Sequence, residues 1–225
     1  MTIALLWLFT GYAHAADYRV VTADSVLSIV THKAGLIESL GHNHFVHATD
    51  YQAEIQCQPD DLLQTRIAFT IDVQKLQADE SAEAKRWTPI LKDLAFAEED
   101  FSEQSESNRK KIRKSMLGKK QLQADKYPSI KAEIIGIEER EKTVGTQTFT
   151  HSVEIAITIK DQTVKKPFPA TLTIEEGKLI VRIVGEMKFT DFGIKPYSAA
   201  FGAVANQDQI HLFVHLVAEP EGSTP

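Results

Sequence analysis

Apolar and polar residues alternate with a period of two along most of this chain. Ile67, Phe69, Ile71 and Val73 share one side, while Arg66, Ala68, Thr70 and Asp72 share the other. A longer set, Phe149, His151, Val153, Ile155, Ile157 and Ile159, stands opposite Thr150, Ser152, Glu154, Ala156, Thr158 and Lys160. Tyr51, Ala53, Ile55 and Cys57 alternate with Gln52, Glu54 and Gln56, and shorter stretches of the same kind lie at 20–22, 26–31, 130–135, 170–174, 179–184 and 210–217. Alternation of this kind predicts half-buried strands. About eight of them, separated by polar turns such as Glu175-Glu176-Gly177-Lys178, predict an antiparallel sandwich or barrel.

One region breaks the period. Residues 78–118 are rich in Glu, Lys, Ala, Gln and Ser, and Trp87, Ile90, Leu91 and Leu94 are spaced as on a helix. The spacing predicts one helix over 81–94 and a second over 101–117, with Gly118 as the C-cap of the second. In the second, Glu98, Glu99, Asp100, Glu103 and Glu106 precede Arg109, Lys110, Lys111, Arg113, Lys114, Lys119 and Lys120. Acid first and base last suits the helix dipole, so the basic cluster reads as a solvated face. The functional reading beside it is contact with a phosphate or an anionic lipid.

The N-terminus adds an address. Ile3 to Phe9 is a short apolar run, and Ala13-His14-Ala15 places small residues where a signal peptidase needs them. That combination predicts a secretory signal over 1–15 and a mature domain over 16–225, hence a periplasmic protein, although no Lys or Arg precedes the run. Residues after this segment offer no stretch long and apolar enough for a membrane helix. Of the 225 residues 43% are hydrophobic and 25% charged, which suits one soluble core, and the net charge of −6 argues against wrapping nucleic acid. Cys57 is the single cysteine, so no internal disulfide forms, and its alternating context predicts a small buried hydrophobe.

The usual catalytic signatures are absent: there is no G-x-S-x-G elbow, P-loop, G-x-G-x-x-G, H-E-x-x-H or C-x-x-C. That favours binding over catalysis. The histidines hold the remaining chemistry. His42 and His44, in Gly41-His42-Asn43-His44, leave the same face of an extended strand and supply half of a zinc or copper site. His32, His47, His151, His211 and His215 are the further donors on offer. The plainer reading makes these histidines polar turn or barrel-lining groups.

Several segments together resemble the YceI-like family of polyisoprenoid-binding proteins. They are Asp24-Ser25 leading into a strand, Thr31-His32-Lys33-Ala34-Gly35-Leu36, the strand 67–76, Asp125-Lys126-Tyr127-Pro128-Ser129-Ile130, a turn at Thr163-Val164-Lys165-Lys166-Pro167, and Phe189-Thr190-Asp191-Phe192-Gly193-Ile194. The likeness runs from about residue 18 to 218 in the family's order. The chain departs from the family in its longer helical region, in the His-rich turn at 41–44, and in Asp161-Gln162-Thr163. The resemblance implies an extended, lipocalin-like, eight-stranded antiparallel barrel with a helical insertion over 78–118. It also implies an isoprenoid lipid as ligand, a polyprenyl phosphate or a quinone, held in the barrel interior without a catalytic cofactor. A membrane cytochrome or the membrane surface is the partner it suggests. Candidate ligand contacts are His42, His44, His151, Phe69, Phe149 and Phe192. The alternatives are a metal-binding or redox accessory protein built on His42 and His44, and a structural module with a filled interior. Small residues such as Ala53, Ala68, Ala132, Ala156 and Ala170 leave room for a cavity, but alternation alone does not say which face is the lumen.

Overall fold

The computed structural model describes residues 15–35 and 41–222, so the expected signal segment falls outside it apart from Ala15, and so does Leu36. Twelve strands form one antiparallel sheet: β1 Ala16–Val20, β2 Val26–Ala34, β3 His44–Ala48, β4 Tyr51–Cys57, β5 Arg66–Asp72, β6 Leu76–Ala78, β7 Ser129–Val144, β8 Gln147–Ile159, β9 Gln162–Glu175, β10 Lys178–Lys188, β11 Ser198–Ala199 and β12 Val204–Pro220. Following the hydrogen bonds through β1, β4, β5, β7, β8, β9, β10 and β12 returns to β1, where Tyr18 pairs with Pro220. The result is a closed eight-stranded antiparallel barrel, which leaves that circuit without a free edge.

Three of the eight wall positions are broken strands. β1 and β2 are separated by a single 3-10 turn, Thr22–Asp24, and both pair with the same edge of β12. β3 and β4 likewise follow one another, as do β5 and β6 across Val73–Lys75. β4 and β5 stay inside the closed circuit through β7, whereas β6 pairs with β3 alone. The wall therefore ends at β6 in its upper half, and the helical insertion leaves the sheet at that point.

Two helices make up the insertion, α1 Ser81–Asp93 and α2 Glu106–Leu117. The second is shorter than its composition predicts. Ser105 is its N-cap, accepting from the Asn108 N–H at 3.2 Å, so residues 101–105 stay outside it and Phe101 instead packs against Phe45. Gly118 is the C-cap, in an extended conformation (φ −72°). The expected turn at Thr163–Pro167 is also corrected: it lies within β9. Ile159 pairs directly with Gln162, so Lys160 and Asp161 make the hairpin turn, with Lys160 at φ 59°. The turn at Glu176 and Gly177 forms where expected, both at positive φ.

Alternation splits the apolar residues into two cores. Inward positions such as Leu27, Ile67, Val181, Ile183 and Leu216 fill the barrel. Outward positions Val26, Val30, Phe45, Val184 and Phe213 form a second core with Trp87 and Leu91 of α1, which covers that wall. Pro89 lies inside α1 without ending it. Among the described residues no helix is long and apolar enough to cross a membrane.

Candidate functional site

The two ends of the barrel differ. At the end where β1, β4 and the C-terminal part of β12 meet, Tyr18, Cys57, Val153, Phe168, Leu179 and Ala218 pack the lumen. Phe168 fits because it lies over Gly185, where a Cβ would stand 2.5 Å from its ring. Cys57 is fully buried there, and burial raises its thiol pKa. At the other end the lumen is hollow. A cavity of about 130 Å³ lies among Ile29, Val46, Phe69, Ala132, Ile157, Met187 and Leu212, and apart from Ser28 and Glu133 every residue lining it is apolar. The many β-branched side chains here have few rotamers with which to fill the gap themselves.

Ile29 and Val46 also line a second cavity of about 360 Å³, so the hollow half adjoins a vestibule beneath α2. Ile112 and Met116 of α2 form its apolar roof. Arg113 ties the helix to the broken edge of the sheet, donating from Nε to the Leu76 carbonyl at 3.1 Å and from Nη2 to the Gln74 carbonyl. Most of the remaining lining residues are polar, among them Thr31, His42, His44, Asn108, Lys111, Gln121 and Asn206, with Phe189, Val204 and Ala205 as the apolar exceptions. The site is therefore an apolar shaft with a polar mouth.

Two of the polar groups have telling surroundings. The Thr31 hydroxyl is buried and has no hydrogen-bond partner, an unfavourable state for an unfilled site. His44 opens β3, and its Nδ1 donates to Asp79 Oδ2 at 2.7 Å. Asp79 is 3% exposed and accepts the Phe45 N–H through its other oxygen at 3.0 Å. With Nδ1 engaged, Nε2 is the His44 atom left for a ligand.

Of the six expected contacts, the structure brings three to the two cavities. His42 and His44 both line the vestibule, although His42 precedes β3 instead of lying in a strand with His44, and Phe69 lines the inner cavity. His151 bonds Thr150 and lines neither. Phe192 is buried in the barrel core, below the Asp191 carboxylate that accepts the Lys188 N–H at 2.9 Å, and likewise stays out of both cavities. Phe149 is corrected outright: it belongs to the outer core beneath α1. The β7–β8 hairpin runs past the barrel wall, and the Thr146 N–H reaches the Asp93 carbonyl at the end of α1 at 2.8 Å. Among the described residues no group of three His, Cys, Asp or Glu is placed to hold a metal ion. His32, His47, His211 and His215 line the outer wall instead: the first and third lie 2.6 Å apart and His211 stacks on Phe96, while His215 packs on Trp87. The contacts that residue patterning missed are Thr31 and the roof of α2. Neither carries a sequence signal of its own.

Residues 18–218 match the family model described as the YceI-like domain. Among solved structures, the chain is similar to BcnA of Burkholderia cenocepacia, with a TM-score of 0.58 and 18% identity over 88% of this chain and 99% of that one. It is similar to a mutant of the Campylobacter jejuni YCEI protein, with a TM-score of 0.50 and 13% identity over 78% and 85%. A polyisoprenoid binding domain from Saccharophagus degradans aligns with a TM-score of 0.49 and 8% identity over 92% and 99%. At these identities the likeness is one of fold. A search of curated proteins found no match to the sequence.

Proposed function

The chain belongs to the YceI-like family, and on that premise we propose that it is an exported carrier of an isoprenoid-type lipid rather than an enzyme. The observation that carries the proposal is the half-empty barrel, an apolar cavity adjoining a vestibule with a buried, unpaired hydroxyl. An apolar tail entering the shaft gains about 0.8 kcal/mol per buried methylene, so affinity needs no reactive group. The cargo is amphipathic. Its headgroup, a phosphate or a quinone ring, takes the Thr31 hydroxyl, the free edge of His44 and the Lys111 ammonium, while its chain lies along Ile29, Phe69 and Ile157. The packed half of the lumen limits how much chain is held, so the first isoprene units contribute most. Export to the periplasm is supported by the apolar run and Ala13-His14-Ala15.

Native mass spectrometry of protein purified from its own host, followed by organic extraction, tests this reading. A prenyl-chain lipid in the extract is expected. An empty barrel that ignores added quinone and polyprenyl phosphate would overturn it.

A further inference from the structure

The open end of the barrel carries two features that reach beyond the cavities. The first is the tip of the β11–β12 hairpin, where Phe201 is 108% exposed, its ring wholly in water. Ala200 and Phe201 both sit at positive φ, 49° and 55°. Non-glycine residues, bulky ones above all, rarely adopt this region, so the backbone is strained while presenting the ring outward. Tyr197, 38% exposed, stands at the base of the same hairpin and lines the vestibule.

The second feature is charge. α2 and the four residues after it carry seven Lys and Arg against the single acid Glu106, in a chain whose net charge is −6. Lys110 pairs with Glu106 and Arg113 is spent on backbone carbonyls. Lys111, Lys114, Lys119 and Lys120 are exposed and, among the described residues, meet no carboxylate. The tail of α2 is joined to the aromatic hairpin segment by Gln121, whose Nε2 donates to the Lys195 carbonyl at 3.1 Å. Aromatic and cationic groups thus share one rim, with the vestibule between them.

We propose that this rim docks on an anionic lipid bilayer. Phe201 enters the boundary between headgroups and acyl chains, Tyr197 sits at headgroup level, and the unpaired lysines face lipid phosphates. Charge complementarity favours a lipid surface over a nucleic acid or an acidic protein, because an aromatic ring held fully outward gains by insertion into an apolar layer. Docked this way, the vestibule opens onto the membrane and an apolar chain enters it without crossing water. The surface is independent of what the barrel holds, so it stands or falls apart from the carrier reading.

Co-flotation of the mature chain with vesicles tests the docking, using phosphatidylcholine alone and phosphatidylcholine mixed with phosphatidylglycerol. Binding to the anionic vesicles only, weakened by salt, is expected. Phe201→Ser should reduce it about tenfold, Phe201→Trp should retain it, and Lys114→Glu/Lys119→Glu/Lys120→Glu should reduce it by more than about tenfold. Farnesyl phosphate binding, followed by isothermal titration calorimetry, should be the same in all of these proteins. Failure of the wild type to float, equal binding to both vesicle types, or variants that float like the wild type would overturn the docking surface, as would a dimer in solution that Phe201→Ser dissolves. Flotation without farnesyl phosphate binding sinks the carrier reading alone.

Discussion

His44 Nδ1 and Asp79 Oδ2 lie 2.7 Å apart, and this one contact joins the mouth of the vestibule to the residue that ends the broken edge of the sheet. Asp79 follows β6 at φ 55°, and its N–H donates to the Phe45 carbonyl at 2.8 Å while its carboxylate accepts the Phe45 N–H. Its carboxylate thus orients the histidine and satisfies a buried N–H at once. Asp79→Ala should cost about 1–3 kcal/mol by urea denaturation, because the Phe45 N–H is left buried and unpaired. Asp79→Asn, which tolerates the positive φ and keeps an accepting oxygen, should cost less. Equal losses in the two variants would count against the hydrogen bond as the cause.

The unpaired Thr31 hydroxyl gives a test with opposite signs. Thr31→Val should stabilise the ligand-free protein by about 1 kcal/mol, since it removes a buried polar group that has no partner. It should also weaken binding of a prenyl phosphate or quinone, while a plain hydrocarbon of equal length binds as before. Calorimetry and ligand titration on the same variant supply both readings.

Filling the shaft should separate folding from binding. Ala132 lines the inner cavity and is partly buried, so Ala132→Phe puts a ring into existing space. The variant should stay folded by circular dichroism and lose prenyl-lipid affinity by roughly tenfold or more, since several methylenes worth about 0.8 kcal/mol each are displaced. Undiminished affinity would place the chain elsewhere.

Acid should loosen the wall beneath α1. Burial pushes the pKa of His32 down to about 4, helped by neighbouring His211. Burial also takes His215 to about 4, with Arg182 and Arg86 adding to the shift and Asp24 and Glu175 opposing it. His47 and His211 are lowered too, again chiefly by burial. These rings are neutral in the fold, whereas the unfolded chain takes up protons near pH 6.5. Their contribution is therefore complete above about pH 6.5 and is lost as pH falls toward 4. The melting temperature should drop across that window. His215→Phe should flatten part of the drop, because Nδ1 of His215 is buried without a partner and the replacement keeps the packing on Trp87.

The hairpin tip against α1 allows little change. Gly145 sits at φ 58°, and a Cβ there would run into the Asp93 carbonyl and the Leu94 backbone. Gly145→Ala should destabilise the protein by about 2 kcal/mol or more and free the end of α1 to exchange its amide hydrogens. Protection at Leu94 and Thr146 equal to the wild type would show that the tip is no latch.

The sequence by itself determined the strands, the helical insertion and the family. Period-two alternation from Phe149 to Ile159 and in Tyr51–Cys57 is a local consequence of one face being apolar, and the Glu176-Gly177 turn follows from local backbone preference. His42 and His44 do share one mouth, but β3 begins only at His44, so strand period is not what brings His42 there. Only the tertiary structure decided which apolar face was the lumen. Phe69 and Phe149 have the same pattern around them, yet one lines the cavity and the other lies outside beneath α1, because β7 and β8 outrun the wall and α1 offers a second core. The orphaned Thr31 hydroxyl, the hollow half and the exposed ring of Phe201 were equally hidden. Each is set by what approaches from distant parts of the chain, and a local period carries no record of that.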